Sequence, residues 1–123
     1  MKRILIIDDE YQVRSMLRMM LEHAGYEVED APDGEIGIKL YRKSPTDLVI
    51  TDILMPKKEG IETIMEIRRD FPNARIIAIS CGGRLKTPDI FLSMAERFGA
   101  ARVFAKPLDK NKLLDAVREL AGA

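Results

Sequence analysis

The stretch Ile4-Leu5-Ile6-Ile7-Asp8-Asp9-Glu10 decides the fold. Four apolar residues without polar alternation suit a strand covered on both faces, the environment of a parallel sheet between helix layers. The run stops on three acids, so charged groups stand at the strand's mouth. Downstream, Val13, Met16, Leu17, Met20, Leu21 and Ala24 recur at i, i+3, i+4, i+7 and i+8, the stripe of an amphipathic helix. Gly25 ends it, because a left-handed C-terminal residue costs glycine little.

The same unit recurs along the chain. Leu48-Val49-Ile50, Arg75-Ile76-Ile77-Ala78-Ile79 and Arg102-Val103-Phe104-Ala105 read as strands, with Glu27-Val28-Glu29-Asp30 a weaker one. Helices are predicted from about Asp33 to Arg42, with Ile36, Leu40 and Tyr41 inward, and from about Ile61 to Asp70, stopping before Pro72. Another runs from Thr87-Pro88 to near Gly99, with proline at the first helical position. The last runs from an Asp109 N-cap through Leu113, Leu114, Val117 and Leu120. Five βα units with right-handed crossovers make a doubly wound α/β fold, (βα)5, around a central five-stranded parallel sheet.

Composition narrows the class. A chain of 123 residues reads as one domain spanning 1–123, large enough to bury a core without disulfides. Apolar residues make up 46% and charged residues 33%, which is globular rather than disordered. Twenty basic and twenty acidic side chains cancel, which excludes the basic footprint of a nucleic-acid module. One cysteine, Cys81, excludes a disulfide framework and a cysteine zinc site. No apolar run is longer than Ile4–Ile7, so neither a membrane span nor a signal peptide is expected, and the expected location is cytoplasmic.

In doubly wound sheets, ligands bind beyond the carboxyl ends of the strands. The residues there are Asp8, Asp9 and Glu10 after the first run, Thr51-Asp52 after Leu48–Ile50, Ser80-Cys81 after Ile79, and Lys106-Pro107 after Ala105. Clustered carboxylates are costly unless a cation neutralises them. Oxygen ligands suit Mg²⁺, which accompanies phosphate chemistry.

On these residues the chain resembles the CheY-like receiver domain of two-component response regulators, over essentially its whole length. The matching elements are Asp8-Asp9, Asp52, Met55-Pro56, Gly60, Ser80 and Lys106-Pro107, in that order. The resemblance implies the flavodoxin-like strand order 2-1-3-4-5. It implies that Asp52 takes a phosphoryl group from a sensor histidine kinase or a phosphotransfer protein in phosphorelay signalling. Asp9 and Asp52 become Mg²⁺ ligands, with the Leu54 backbone carbonyl, and Asp8 binds through water. Lys106 pairs with Asp52 at rest and with the phosphoryl group afterwards, and Ser80 donates to the phosphoryl group. Phe104 is the aromatic switch, and the fourth helix, fifth strand and fifth helix form the readout surface. The Lys106–Pro107 bond is expected to be cis. The chain is then not an enzyme in the usual sense; it assists its own phosphorylation and dephosphorylation. Its partners are the phosphodonor and a downstream protein or an output domain, and it is a monomer or a weak phosphorylation-dependent dimer.

The sequence departs from the family at three places. Cys81 is larger than the usual alanine or glycine, and Gly82-Gly83-Arg84-Leu85-Lys86 extends the loop before the fourth helix. Leu54 and Gly82 offer no side chain to orient an attacking water, so slow self-dephosphorylation is expected. A phosphatase resembling the haloacid dehalogenases needs a second aspartate two residues after the first, where Leu54 stands. A flavodoxin-like FMN carrier needs a phosphate cradle where Asp8-Asp9-Glu10 would repel one. The remaining alternative is a constitutive docking module on the same fold. His23 reads as a surface or C-terminal residue of the first helix, and Cys81 as small and buried.

Overall fold

A computed structural model of the chain describes residues 1–53, 60–80, 93 and 95–122. The strands are β1 (Arg3–Ile7), β2 (Glu27–Ala31), β3 (Leu48–Asp52), β4 (Ile76–Ser80) and β5 (Arg102–Ala105). The helices are α1 (Tyr11–His23), α2 (Gly34–Lys43), α3 (Gly60–Asp70) and α5 (Lys110–Ala121), and helical positions at 93 and 95–97 belong to α4. All strands are parallel, in the expected order β2-β1-β3-β4-β5. Among the described residues, no helix is long and apolar enough to cross a membrane.

The unalternated runs are buried on both faces, as their composition demands. Leu5, Ile7 and Val49 face one layer with Ile38, Ile64 and Ile67 from α2 and α3. Ile4, Ile6 and Ile50 face the other with Leu17, Leu21 and Leu113 from α1 and α5. The α1 stripe packs as its spacing requires, and Gly25 follows it in the left-handed region at φ +99°. Asp33 and Asp109 cap α2 and α5, accepting from the backbone N–H of Ile36 and Lys112.

Two expectations need correction. Ile36 is not inward: it is 41% exposed, and the buried stripe of α2 is Gly34, Gly37, Ile38 and Tyr41. Counted from Gly34, the first residue after the Asp33 cap, that stripe is i, i+3, i+4 and i+7, and Ile36 falls off it. Thr51, Asp52 and Ser80 are the last residues of β3 and β4 rather than the first residues of loops. The parallel ladder pairs backbone groups and runs on through polar side chains.

The C-terminal end of α5 is tied to the residue that precedes β2. The Tyr26 hydroxyl, at the start of β2, donates to the Gly122 carbonyl beyond α5 at 2.7 Å. Tyr26→Phe is expected to lower the unfolding free energy by about 1 kcal/mol in urea titration. An unchanged midpoint would remove this bond from the account.

Candidate functional site

Strand register alone brings the polar residues together. Ile7 pairs with Thr51, Asp52 with Ile79, and Ser80 with Ala105. Asp8, Asp52, Ser80 and Lys106 therefore lie along one edge, each at or one residue beyond a strand end. Backbone bonds carry the ladder past the strands: the N–H groups of Asp8, Ile53 and Lys106 donate to the carbonyls of Ala31, Ile79 and Ser80.

Oxygens of Asp8, Asp9, Glu10 and Asp52 all lie within 4.8 Å of one another. Asp8 and Asp52 are buried, at 0% and 2% exposure, whereas Asp9 and Glu10 face solvent. Lys106 enters from the far side. Its Nζ stands 3.1 Å from Glu10 Oε1, 3.2 Å from Asp8 Oδ2 and 3.5 Å from Asp52 Oδ2. At rest the ammonium is thus shared among three carboxylates, and Asp52 is the most distant of them.

Burial pushes the Asp8 carboxyl above its ordinary value; the Glu10 N–H and the Lys106 ammonium pull it back only in part. Burial on its own would lower the Lys106 pKa. The Asp52 and Asp8 charges and the bonds to Glu10 and Asp8 outweigh it, and Lys106 is held above the usual lysine range. The ammonium is therefore a fixed charge at neutral pH. The four clustered carboxylates, three of them in contact with one ammonium, make a hard-oxygen donor set with excess negative charge, and that donor set fits Mg²⁺.

Ser80 Oγ is fully buried and has no hydrogen-bond partner among the described residues. A buried hydroxyl without a partner is costly. Phe104 is half-buried against the α1–α5 layer. The Lys106–Pro107 peptide is cis. Leu54, Met55-Pro56, Cys81, the 82–86 stretch and the Thr87-Pro88 helix start lie outside the described residues. An apolar groove of about 830 Å³ between α1 and α5, floored by Met16, Met20 and Leu114, lies on the helix face, away from this cluster.

Three residues have more to do than their sequence positions suggest. Glu10, one of the strand-mouth acids and the N-cap of α1, binds Lys106. Arg14 Nη1 donates to the Asp8 carbonyl at 2.8 Å and its Nε lies 3.7 Å from Asp30. Gly60 is required for space: a Cβ there would lie 2.0 Å from the Asp52 carbonyl oxygen. No local pattern announces these contacts, which arise only when the elements pack.

Residues 4–118 match the response regulator receiver domain family. The chain is similar to the chemotaxis protein CheY of Thermotoga maritima, 34% identical over 121 residues that span 98% of each chain. It is also similar to the sporulation initiation phosphotransferase F of Bacillus subtilis, 30% identical over 118 residues, 96% of this chain and 92% of that one. Among solved structures it resembles the response regulator TrrA of Thermotoga maritima in complex with Mg²⁺ and BeF. The TM-score is 0.83 at 33% identity, with 98% of this chain and 99% of that one covered. Sheet order, strand-end chemistry and these matches agree: the chain belongs to the response regulator receiver domains of two-component systems.

Proposed function

We propose that this receiver accepts a phosphoryl group on Asp52 and passes the event to a protein partner. The observation that carries the reading is the Asp52 carboxylate itself, buried at a strand end among acids, with an ammonium 3.5 Å away. An Asp52 Oδ attacks the phosphorus of a phosphohistidine on a sensor kinase or phosphotransfer protein. A P–O bond forms and the P–N bond breaks. The electron pair leaves with the imidazole nitrogen, which takes a proton from solvent. When bound by Asp9 and Asp52, with Asp8 behind a water, Mg²⁺ supplies positive charge against the phosphoryl oxygens.

The chain's own groups do the rest. Lys106 moves from the carboxylates to a phosphoryl oxygen as a point charge. The Ser80 hydroxyl, without a described partner at rest, donates to a second. Phe104 follows the space that Ser80 vacates, and the surface of α4, β5 and α5 changes with it. A full switch needs about 5.5 kcal/mol of differential stabilisation. A group carrying roughly −1.5 to −2 charges, with several new contacts, is of the right size to provide it. In this reading residues 1–123 are one receiver domain working in the cytoplasm. It catalyses no turnover on a separate substrate.

Incubation with Mg²⁺ and acetyl phosphate is expected to add one phosphoryl group by intact mass, and Asp52→Asn is expected to add none. Uptake by the Asn variant would move the acceptor elsewhere. No uptake by the parent, with Mg²⁺ bound, would leave a constitutive docking module as the reading.

A further inference from the structure

Glu10 occupies the N-cap of α1, where serine, threonine, asparagine or aspartate is the usual choice. Its side chain makes no capping bond. Its backbone is nevertheless held: the Glu10 N–H donates to Asp8 Oδ1 at 2.8 Å, and its carbonyl accepts from the Arg14 N–H at 3.1 Å. With the backbone fixed, the carboxylate reaches across the strand ends to Lys106 Nζ at 3.1 Å, the shortest of that ammonium's three carboxylate contacts. Asp8 closes the triangle, bonded to the Glu10 N–H and to Lys106. A residue poorly suited to capping thus spends its side chain on the site's cation.

We propose that Glu10 is a positioning residue that holds the Lys106 ammonium back from Asp52 in the resting state and so slows phosphoryl uptake. The proposal rests on the reading of Asp52 as acceptor and Lys106 as the phosphoryl-binding cation. In this reading Lys106 gives up its contact with Glu10 to meet a phosphoryl oxygen. The Glu10 side chain is about half exposed, so the restraint is solvent-screened and modest.

Two substitutions separate this from charge repulsion against the incoming phosphodonor. Glu10→Gln removes the charge and weakens the pair. Glu10→Asp keeps the charge but withdraws it by one methylene, out of reach of Lys106. At saturating Mg²⁺, both are expected to raise the rate of uptake from acetyl phosphate, by about two- to five-fold. Acceleration by Glu10→Gln alone makes the effect repulsion and overturns the proposal. Equal or slower uptake by both overturns it as well. A rise in half-saturating Mg²⁺ with an unchanged saturated rate would make Glu10 a metal ligand instead, again against the proposal. In metal-free protein the Cε–Hε NMR signal of Lys106, assigned by its loss in Lys106→Met, is expected to shift in both variants. An unmoved signal overturns the pair. The proposed function fails separately, through absence of uptake by the parent chain.

Discussion

Gly60→Ala is expected to destabilise the chain by about 3 kcal/mol and to cripple phosphoryl uptake together. In a helix this exchange ordinarily stabilises, by up to about 1 kcal/mol. Here the sign reverses because the new Cβ meets backbone: 2.0 Å from the Asp52 carbonyl oxygen and 2.5 Å from Ile53 Cα. Neither atom can rotate away. The Gly60 N–H also donates to the Ile53 carbonyl at 2.7 Å, so α3 is pinned against the end of β3. Relief requires the Asp52 backbone to shift, and with Asp52 as the proposed acceptor a displacement of about 1 Å can cost roughly 10²-fold in rate. Gly37→Ala is the control. Its Cβ would lie 2.4 Å from Ile7 Cδ1, a side-chain tip that can turn, so the loss should be smaller. Urea unfolding of both variants beside the acetyl phosphate assay decides the matter. A Gly60→Ala protein as stable as the parent would show that α3 does not clamp the site.

Lys106→Met is expected to cost about 2 kcal/mol of stability in metal-free protein, and millimolar Mg²⁺ should return most of it. Breaking a buried ion pair costs roughly 3–5 kcal/mol, and exposure of Glu10 reduces that here. A cation bound at 100 times its dissociation constant supplies about 2.7 kcal/mol by mass action. The pH dependence follows from Asp8, whose folded pKa is raised above 3.8 by burial. Its contribution to stability is fully present below 3.8 and is lost as pH rises through the folded value. Without Lys106 one of the influences lowering that value is gone, so it rises further. The variant's deficit should therefore shrink as pH falls toward 4. A deficit constant with pH, or one Mg²⁺ leaves untouched, would mean the lysine's stem matters and its charge does not.

Much of this was legible in the sequence because the fold depends on features carried by single segments. Ile4–Ile7 is buried on both faces for the reason its composition suggests, and Gly25 stops α1 as a left-handed residue. The strand-end acids, Ser80 and Lys106 could be placed on one edge because βα order fixes which strand ends share an edge. What escaped depends on contacts between side chains and backbone that exist only in the packed fold. Ile36 looked inward until the Asp33 cap set the phase of α2. Glu10 reads as one of the acids at the strand mouth, but its bond to Lys106 does not show in the sequence, since that partner lies 96 positions away. Gly60 matched a pattern, but its closeness to the Asp52 backbone exists only once α3 is packed.

The register of the central strands has a consequence for quality control. In β3, Val49 and Ile50 point to opposite layers, and Asp52 sits at the mouth only when Val49 is opposite Ile76. A slip of one residue would turn each β3 side chain to the wrong layer and withdraw Asp52 from Lys106 in the same movement. Core and proposed phosphoacceptor site therefore share a single alignment. A misaligned chain would expose apolar surface and lose the site together, so a register error is expected to cost solubility as well as response. The specific activity of the soluble protein should accordingly hold steady while yield falls under mild heat or denaturant stress.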